Sequence, residues 1–348
     1  MRHPIITEDL QEIVDYRLDF EKFAGKTVVV SGASGMIGGY LTEFLLYLNE
    51  IRKLKIKIIA LTRNERKTRK KFSHYVNRSD LSLIIQDVVQ PVKIKGGVNY
   101  VIHAASQSSP KYFGIDPVGT LLPNVIGTKN LLELARVKKT EEVLFVSSGE
   151  VYGHVDDNQN PIKETFCGRV DPINIRSCYA ESKRLGETMC ISWLKQYGVK
   201  TKIVRPFHIY GPGMDLDDGR IFADFTRDIV FGKNLVILSG GTAKRSFCYL
   251  SDAVAAILTV LILGNVGEAY NVGNSSQEVS IKGLAKRLIA LFPEKKLKVI
   301  FKPRNPSGGY LPSAISRSCP DTEKIEGLGW HPIHSIESGF KRTVLSFS

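Results

Sequence analysis

The apolar positions of this chain fall into short β-branched runs that alternate with longer segments of helical spacing. Residues 26–31 (Lys-Thr-Val-Val-Val-Ser) make one such run, a glycine-rich turn follows at 32–38, and 37–47 reads as a helix. Further runs of buried-strand type stand at 57–61, 83–86, 100–103, 142–146 and 200–204, with helical segments between them, notably around 125–138 and 182–196. Strands alternating with helices predict an α/β fold, a doubly wound parallel sheet covered on both faces. Ahead of the first run, residues 1–24 predict a short helical extension with Leu10, Ile13, Val14 and Leu18 on its apolar side. From Gly211 the rhythm changes, because Gly-Pro-Gly at 211–213, Asp-Asp-Gly at 217–219 and Ser-Gly-Gly at 239–241 break the chain into shorter elements. Residues 303–320 are rich in Pro, Gly and Ser and read as a loop that closes over something. The expected organisation is an extension over 1–24, a first unit over 25–210 and a smaller lobe over 211–348 that returns some chain to the first unit.

Composition narrows the class. At 348 residues, 43% hydrophobic and 24% charged, the chain has the ordinary make-up of a globular protein with room for two lobes. No apolar stretch approaches the roughly 18 residues a bilayer crossing needs, and the N-terminus has early acids and no apolar signal core. A cytoplasmic protein with no membrane partner is expected. The five cysteines (167, 178, 190, 248 and 319) are odd in number, scattered and without a Cys-x-x-Cys pair, which fits free thiols in a reducing compartment. His74, His154 and His208 lack the spacing of metal ligands, so no metal is expected. The formal charge of +13 raises the question of nucleic acid, but much of the excess sits in local runs such as 63–71, without a binding motif or interleaved aromatics. An anionic small substrate or a solvated basic helix face accounts for the charge, and no nucleic-acid partner is expected.

Two local patterns carry chemistry. Tyr179 and Lys183 stand four apart in Ser-Cys-Tyr-Ala-Glu-Ser-Lys, so on a helix the phenol and the ammonium share one face. The lysine charge is expected to draw the phenol down from about 10, making it a base for a hydroxyl proton while hydride leaves carbon. Upstream, Gly32, Gly35 and Gly38 divide the work of a dinucleotide turn among a tight bend, close approach to a pyrophosphate and close helix packing, with Ser34, Met36 and Ile37 between them. The pyrophosphate would rest on the helix N-terminus, where N–H groups and the dipole favour anions. Together these point to a nicotinamide cofactor. The second strand ends Ala-Leu-Thr-Arg-Asn at 60–64 with no acid for a ribose hydroxyl until Glu65. Arg63 would pair with a 2′-phosphate, whereas Asn64 or Thr62 would bind an unphosphorylated ribose, so NAD and NADP both stay open. Asp87 either contacts the adenine amino group or caps a turn. His103 reads as a backbone-organising histidine, and Cys178 as a small buried side chain.

In order along the chain, these residues resemble the extended short-chain dehydrogenase/reductase superfamily, in its nucleotide-sugar branch, the NAD-dependent epimerase/dehydratase family. The likeness runs from about Lys26 to Ser346. It rests on the turn at 32–38, Ile-His-Ala-Ala at 102–105, Ser-Ser-Gly-Glu-Val-Tyr-Gly at 147–153, Tyr179/Lys183, Arg-Pro-Phe-His-Ile-Tyr-Gly-Pro at 205–212 and Arg-Ser-Phe-Cys-Tyr-Leu-Ser-Asp at 245–252. The tail motifs at 320–324 and 328–332 add to it. The resemblance implies a Rossmann domain over 25–210, a nucleotide-sugar-binding lobe over most of 211–348, and a homodimer. Three details resemble UDP-glucuronate decarboxylases: Arg-Ser-Cys-Tyr at 176–179, Asp-Gly-Arg at 218–220, and Thr242 followed by Arg-Ser-Phe-Cys-Tyr at 245–249. Glu150 adds to them, since decarboxylases and 4,6-dehydratases carry a glutamate there and plain 4-epimerases usually do not.

By this resemblance Tyr179 is the base, Lys183 tunes it and holds the ribose, Ser148 bonds the sugar C4 oxygen, and Glu150 assists at C5 or orders a water. Ala104 joins the cofactor set, Arg245 holds the diphosphate, and His208 and Arg220 contact substrate. The implied enzyme modifies a nucleotide sugar through a transient 4-keto intermediate with NAD or NADP, decarboxylation first, 4-epimerisation or 4,6-dehydration as alternatives. A net keto-sugar reductase is a further reading, and a non-catalytic cofactor-binding regulatory protein is the rival from another class. Three departures stand out: His208 where the family usually has Asn, Gly149 where 4,6-dehydratases have Asp, and the missing acid after the second strand.

Overall fold

The computed structural model describes residues 2–75, 77–303 and 315–347, so residues 304–314 of the expected closing loop lie outside the described residues. Seven parallel strands form the main sheet: β1 (Thr27–Ser31), β2 (Lys57–Thr62), β3 (Leu81–Ile85), β4 (Tyr100–His103), β5 (Glu142–Val146), β6 (Thr201–Pro206) and a last strand, Ala269–Val272. Their order is β3-β2-β1-β4-β5-β6 and then Ala269–Val272. The winding reverses between β1 and β4, which opens a crevice beyond the carboxyl ends of these strands.

Alternation in β1 shows why the run is apolar throughout. Val28 and Val30 pack on one face against helices Met36–Arg52 and Leu250–Leu263, while Val29 packs on the other against Thr128–Lys138 and Ser177–Tyr197. The strand Ala269–Val272 escapes sequence reading because it is short and carries Asn271 in its middle. That side chain is fully buried and satisfied: it accepts from the Tyr152 hydroxyl at 2.7 Å and donates to the carbonyls of Ile162 (2.8 Å) and Asp321 (3.0 Å). The helix expected at 182–196 begins earlier, at Ser177, which puts Tyr179 in its first turn.

Helix Leu250–Leu263 is mostly apolar and buried from Leu250 to Ile262, so it needs cover on the side away from the sheet. The N-terminal helix Pro4–Asp15 supplies part of it, burying Leu10, Ile13 and Val14 there. Asp9 on the same helix is fully buried, accepts from Tyr40 (2.6 Å) and Tyr249 (2.8 Å), and is ion-paired with Arg342, whose Nε lies at 2.8 Å. Both chain ends are thereby clasped to one surface. A separate apolar core holds the later elements together, with Phe222, Phe225, Leu235, Leu284 and Phe340 buried in it; each such side chain contributes about 1.5–3 kcal/mol. Among the described residues no helix is long and apolar enough to cross a membrane.

Candidate active site

The crevice at the carboxyl ends of the strands continues into a cleft of about 1450 Å³ that is also lined by residues after Gly211. At its floor the glycine turn follows β1. Gly32 has φ +70°, and a Cβ there would stand 2.6 Å from the Ala104 carbonyl oxygen, so Ala104 backs the turn directly. A Cβ on Gly38 would stand 2.5 Å from the Gly32 oxygen. No side chain caps the start of helix Met36–Arg52, whose first turn opens into the cleft with Gly35, Met36 and Ile37 on its lining. A cradle that only glycine leaves open, at an uncapped helix N-terminus, fits a dinucleotide pyrophosphate. Ser34 receives the Thr62 hydroxyl at 2.9 Å.

Beyond the end of β2, Arg63 donates to Gln107 (2.9 Å) and lies 3.7 Å from Asp87. Asn64 lines the cleft and also caps helix Glu65–Lys71, accepting from the Lys67 N–H at 2.8 Å. Asp87 does cap a turn, accepting from the Val89 N–H at 3.0 Å, while it also lines the cleft. His103 is organising, as expected: one ring nitrogen lies 2.7 Å from the Ser31 hydroxyl, the other 3.3 Å from the Pro123 carbonyl, and burial pushes the imidazole down to about 3.

The structure brings Ser148, Glu150, Tyr179 and Lys183 together on one wall of this cleft. Ser148 follows β5 and accepts from the Glu150 N–H at 3.2 Å, capping the single turn Gly149–Tyr152. The Glu150 carboxylate is 3.7 Å from the Arg176 guanidinium. The Tyr179 ring stacks on Phe113 with centroids 5.2 Å apart. Lys183 is buried, donates to the Val146 carbonyl at 2.7 Å and sits against the Phe145 ring. Burial pushes its ammonium down to about 7.

One expectation is corrected here. Tyr179 is not drawn below 10 by Lys183: burial pushes the phenol up to about 12, and what opposes this is the Ser148 hydroxyl and the Arg220 charge. The lysine gives its hydrogen bond to backbone, and the same burial that raises the phenol also weakens the ammonium.

Also on the cleft lining, Arg220 is held by both oxygens of Asp218, with Nη2 at 2.9 Å. Arg245 donates to the carbonyls of Lys244 and Ile315, each at 2.7 Å, and Ser316 at 3.2 Å. His208 adopts φ +43°, a left-handed region that histidine tolerates better than most side chains. Burial, then Arg245 and Arg220, hold its imidazole well below 6.5, so it is neutral. Its Nε2 is buried and without a hydrogen-bond partner among the described residues, on the cleft lining.

Sequence reading missed three supports. Phe113, which stacks on the tyrosine, left no signal. Glu187 accepts from Ser147 at 2.6 Å and from the Arg205 Nε at 2.9 Å, and its place four residues after Lys183 was legible. Phe207 fills the space above Gly149, where a Cβ would stand 2.8 Å from its ring.

A parallel sheet in this order, with a glycine cradle at its reversal point and a Ser/Tyr/Lys wall beside it, defines a dinucleotide-dependent enzyme of the short-chain dehydrogenase/reductase type. Residues 28–273 match the model of the NAD dependent epimerase/dehydratase family, and the chain belongs to that family, with NAD as its cofactor. It is 33% identical over 332 residues to UDP-glucuronic acid decarboxylase 1 of Xenopus tropicalis, covering 92% of this chain and 72% of that one. It is also 33% identical over 315 residues to UDP-glucuronic acid decarboxylase 3 of Arabidopsis thaliana, covering 90% and 86%. The fold matches the crystal structure of UDP-glucose 4-epimerase with UDP-glucose from Thermotoga maritima with a TM-score of 0.78 at 23% identity, over 92% of this chain and 98% of that one.

Proposed function

We propose that this enzyme decarboxylates a nucleotide-linked uronic acid, UDP-glucuronate first among candidates, through a 4-keto intermediate. The observation that carries the reading is Glu150, braced by Arg176 at 3.7 Å on the tyrosine wall of the cleft. The glycine turn would hold NAD, which would supply reversible hydride transfer at the sugar C4. Tyr179 takes the C4 hydroxyl proton and gives it back, with Ser148 bonding that oxygen and Lys183 holding the ribose. Once C4 is a ketone, the C5 carboxylate belongs to a β-keto acid, and the electron pair of the leaving CO2 passes into the C4 enolate. Glu150 then serves the protonation at C5, directly or through a water. Arg245 holds the diphosphate, and His208 and Arg220 position the sugar nucleotide. Gly32, Ser34, Gly35, Met36, Ile37, Gly38, Arg63, Asn64, Asp87 and Ala104 form the cofactor side, so 25–210 is the cofactor domain and most of 211–348 the sugar-nucleotide lobe.

Dehydration is disfavoured by one feature: the position of the dehydratase acid is Gly149, and Phe207 occupies the space its side chain would need. The homodimer reading is supported by Val118, Leu121, Ile126 and Leu185, apolar and exposed on helices Pro117–Leu122 and Ser177–Tyr197 and the turn between Pro123 and Gly127. A reducing, cytoplasmic setting accords with five free cysteines.

Mass spectrometry of a nucleotide-sugar panel incubated with the enzyme and NAD tests the reading. Loss of CO2 from a uronate supports it. Loss of water moves the reaction to dehydration, and unchanged mass with a new NMR configuration at C4 moves it to epimerisation.

A further inference from the structure

Lys71 ends helix Glu65–Lys71 and reaches back to the glycine turn, where its ammonium donates to the Gly35 carbonyl at 2.9 Å. Its tail lies in a niche that exists only because residue 39 is glycine, for an added Cβ there would overlap both Cε and Nζ. The same ammonium faces the second lobe: a Cβ on Gly213 would stand 3.7 Å from Nζ. One cation therefore bonds the glycine turn and lies beside the Gly-Pro-Gly loop.

This placement is unfavourable for the protein by itself. Burial lowers the ammonium to about 8, and it lies beside the positive end of the helix Met36–Arg52 macrodipole. The charges that reach it are Glu43 of that helix and Lys67 of its own helix, which oppose each other. Glu43 is shared with Arg2 (3.2 Å), Tyr75 (2.8 Å) and His74 (3.5 Å), so it does not neutralise Lys71 alone. A further anion at this helix end would balance the ammonium, and the cofactor pyrophosphate is the anion such a turn receives.

We infer that Lys71 is a positioning residue for NAD, fixing the Gly35 carbonyl and adding its charge to the pyrophosphate seat while joining that seat to the 211–213 loop. The inference does not depend on which sugar reaction follows, since it concerns cofactor binding without substrate.

The test is titration of NAD and of adenosine, which has no phosphate, into the wild type and Lys71→Met, with thermal unfolding to check the fold. The charge role predicts NAD binding weaker by about tenfold with adenosine unchanged. It also predicts that wild-type NAD affinity falls between about pH 7 and about pH 9.5 as Lys71 loses its proton, and that Lys71→Met shows a shallower fall, keeping only the share that Lys183 contributes. Gly39→Ala provides a second reading, because it keeps the charge but expels it from the niche, and it should weaken NAD in the same direction. Equal NAD affinity in wild type and variants, parallel losses for NAD and adenosine, or an unchanged pH slope in Lys71→Met would each overturn the inference.

Discussion

The Lys183 ammonium donates to the Val146 carbonyl at 2.7 Å and stands 5.8 Å from the centroid of the Tyr179 ring. Helical spacing put the two groups on one face, yet the lysine is spent on backbone and the phenol is raised to about 12 by burial. Any proton transfer at Tyr179 therefore starts from a protonated phenol that is hydrogen-bonded to Ser148, not from a standing phenolate.

For that reason Tyr179→Phe should lower kcat by about 10²–10⁴-fold while NAD affinity stays near wild type. Steady-state kinetics beside cofactor titration check this, and a variant with ordinary turnover would remove Tyr179 from the mechanism.

Lys183 also marks stability. Its folded value, about 7, lies below the ordinary 10.5, so the unfolded chain binds the proton more readily between these values. Stability from this group therefore rises with pH through that window. Lys183→Met should remove the rise. Urea midpoints at about pH 7 and about pH 9 test it as a difference between variant and wild type, and parallel slopes would refute it.

Arg342→Met strips the buried Asp9 of its cation and should cost about 3 kcal/mol, read as a lower urea midpoint. Adding Asp9→Asn should recover much of the loss, because an amide needs no counter-charge there. If the single variant is as stable as wild type, the clasp of the two chain ends holds nothing.

Gly149→Asp should not create a dehydratase. The side chain would meet the Phe207 ring, at a cost of about 1–3 kcal/mol. Its melting temperature should fall, and in the double variant with Phe207→Ala the loss should be smaller than the sum of the two single losses, because the clash is gone.

Arg63 bears on cofactor choice. Because it lies 3.7 Å from Asp87 and bonds Gln107, Arg63→Glu should weaken NADP binding by roughly tenfold or more and NAD by less. Equal losses would show that this guanidinium does not read a 2′-phosphate.

What the sequence by itself determined was written in short windows. A β-branched run into Gly32, Gly35 and Gly38 specifies strand, turn and helix, because the glycines are demanded by contacts within a few residues of one another or with the adjacent strand. Four-residue spacing put Tyr179 and Lys183 on one helix face, and the alternation of strands and helices announced a doubly wound sheet. Tertiary structure decided what depends on distant chain. Burial, not the nearby lysine, sets the Tyr179 phenol. Phe207 closes the space at Gly149 from 58 residues away, Lys71 enters the glycine turn from the next helix, and Arg342 pairs with Asp9 from the other end of the chain. The strand Ala269–Val272 was hidden for the same reason: its buried asparagine is tolerable only because Tyr152, Ile162 and Asp321 come together to satisfy it. Local patterns record backbone geometry and which face is apolar. Desolvation and pairing energies are set by whichever residues the fold later brings into contact.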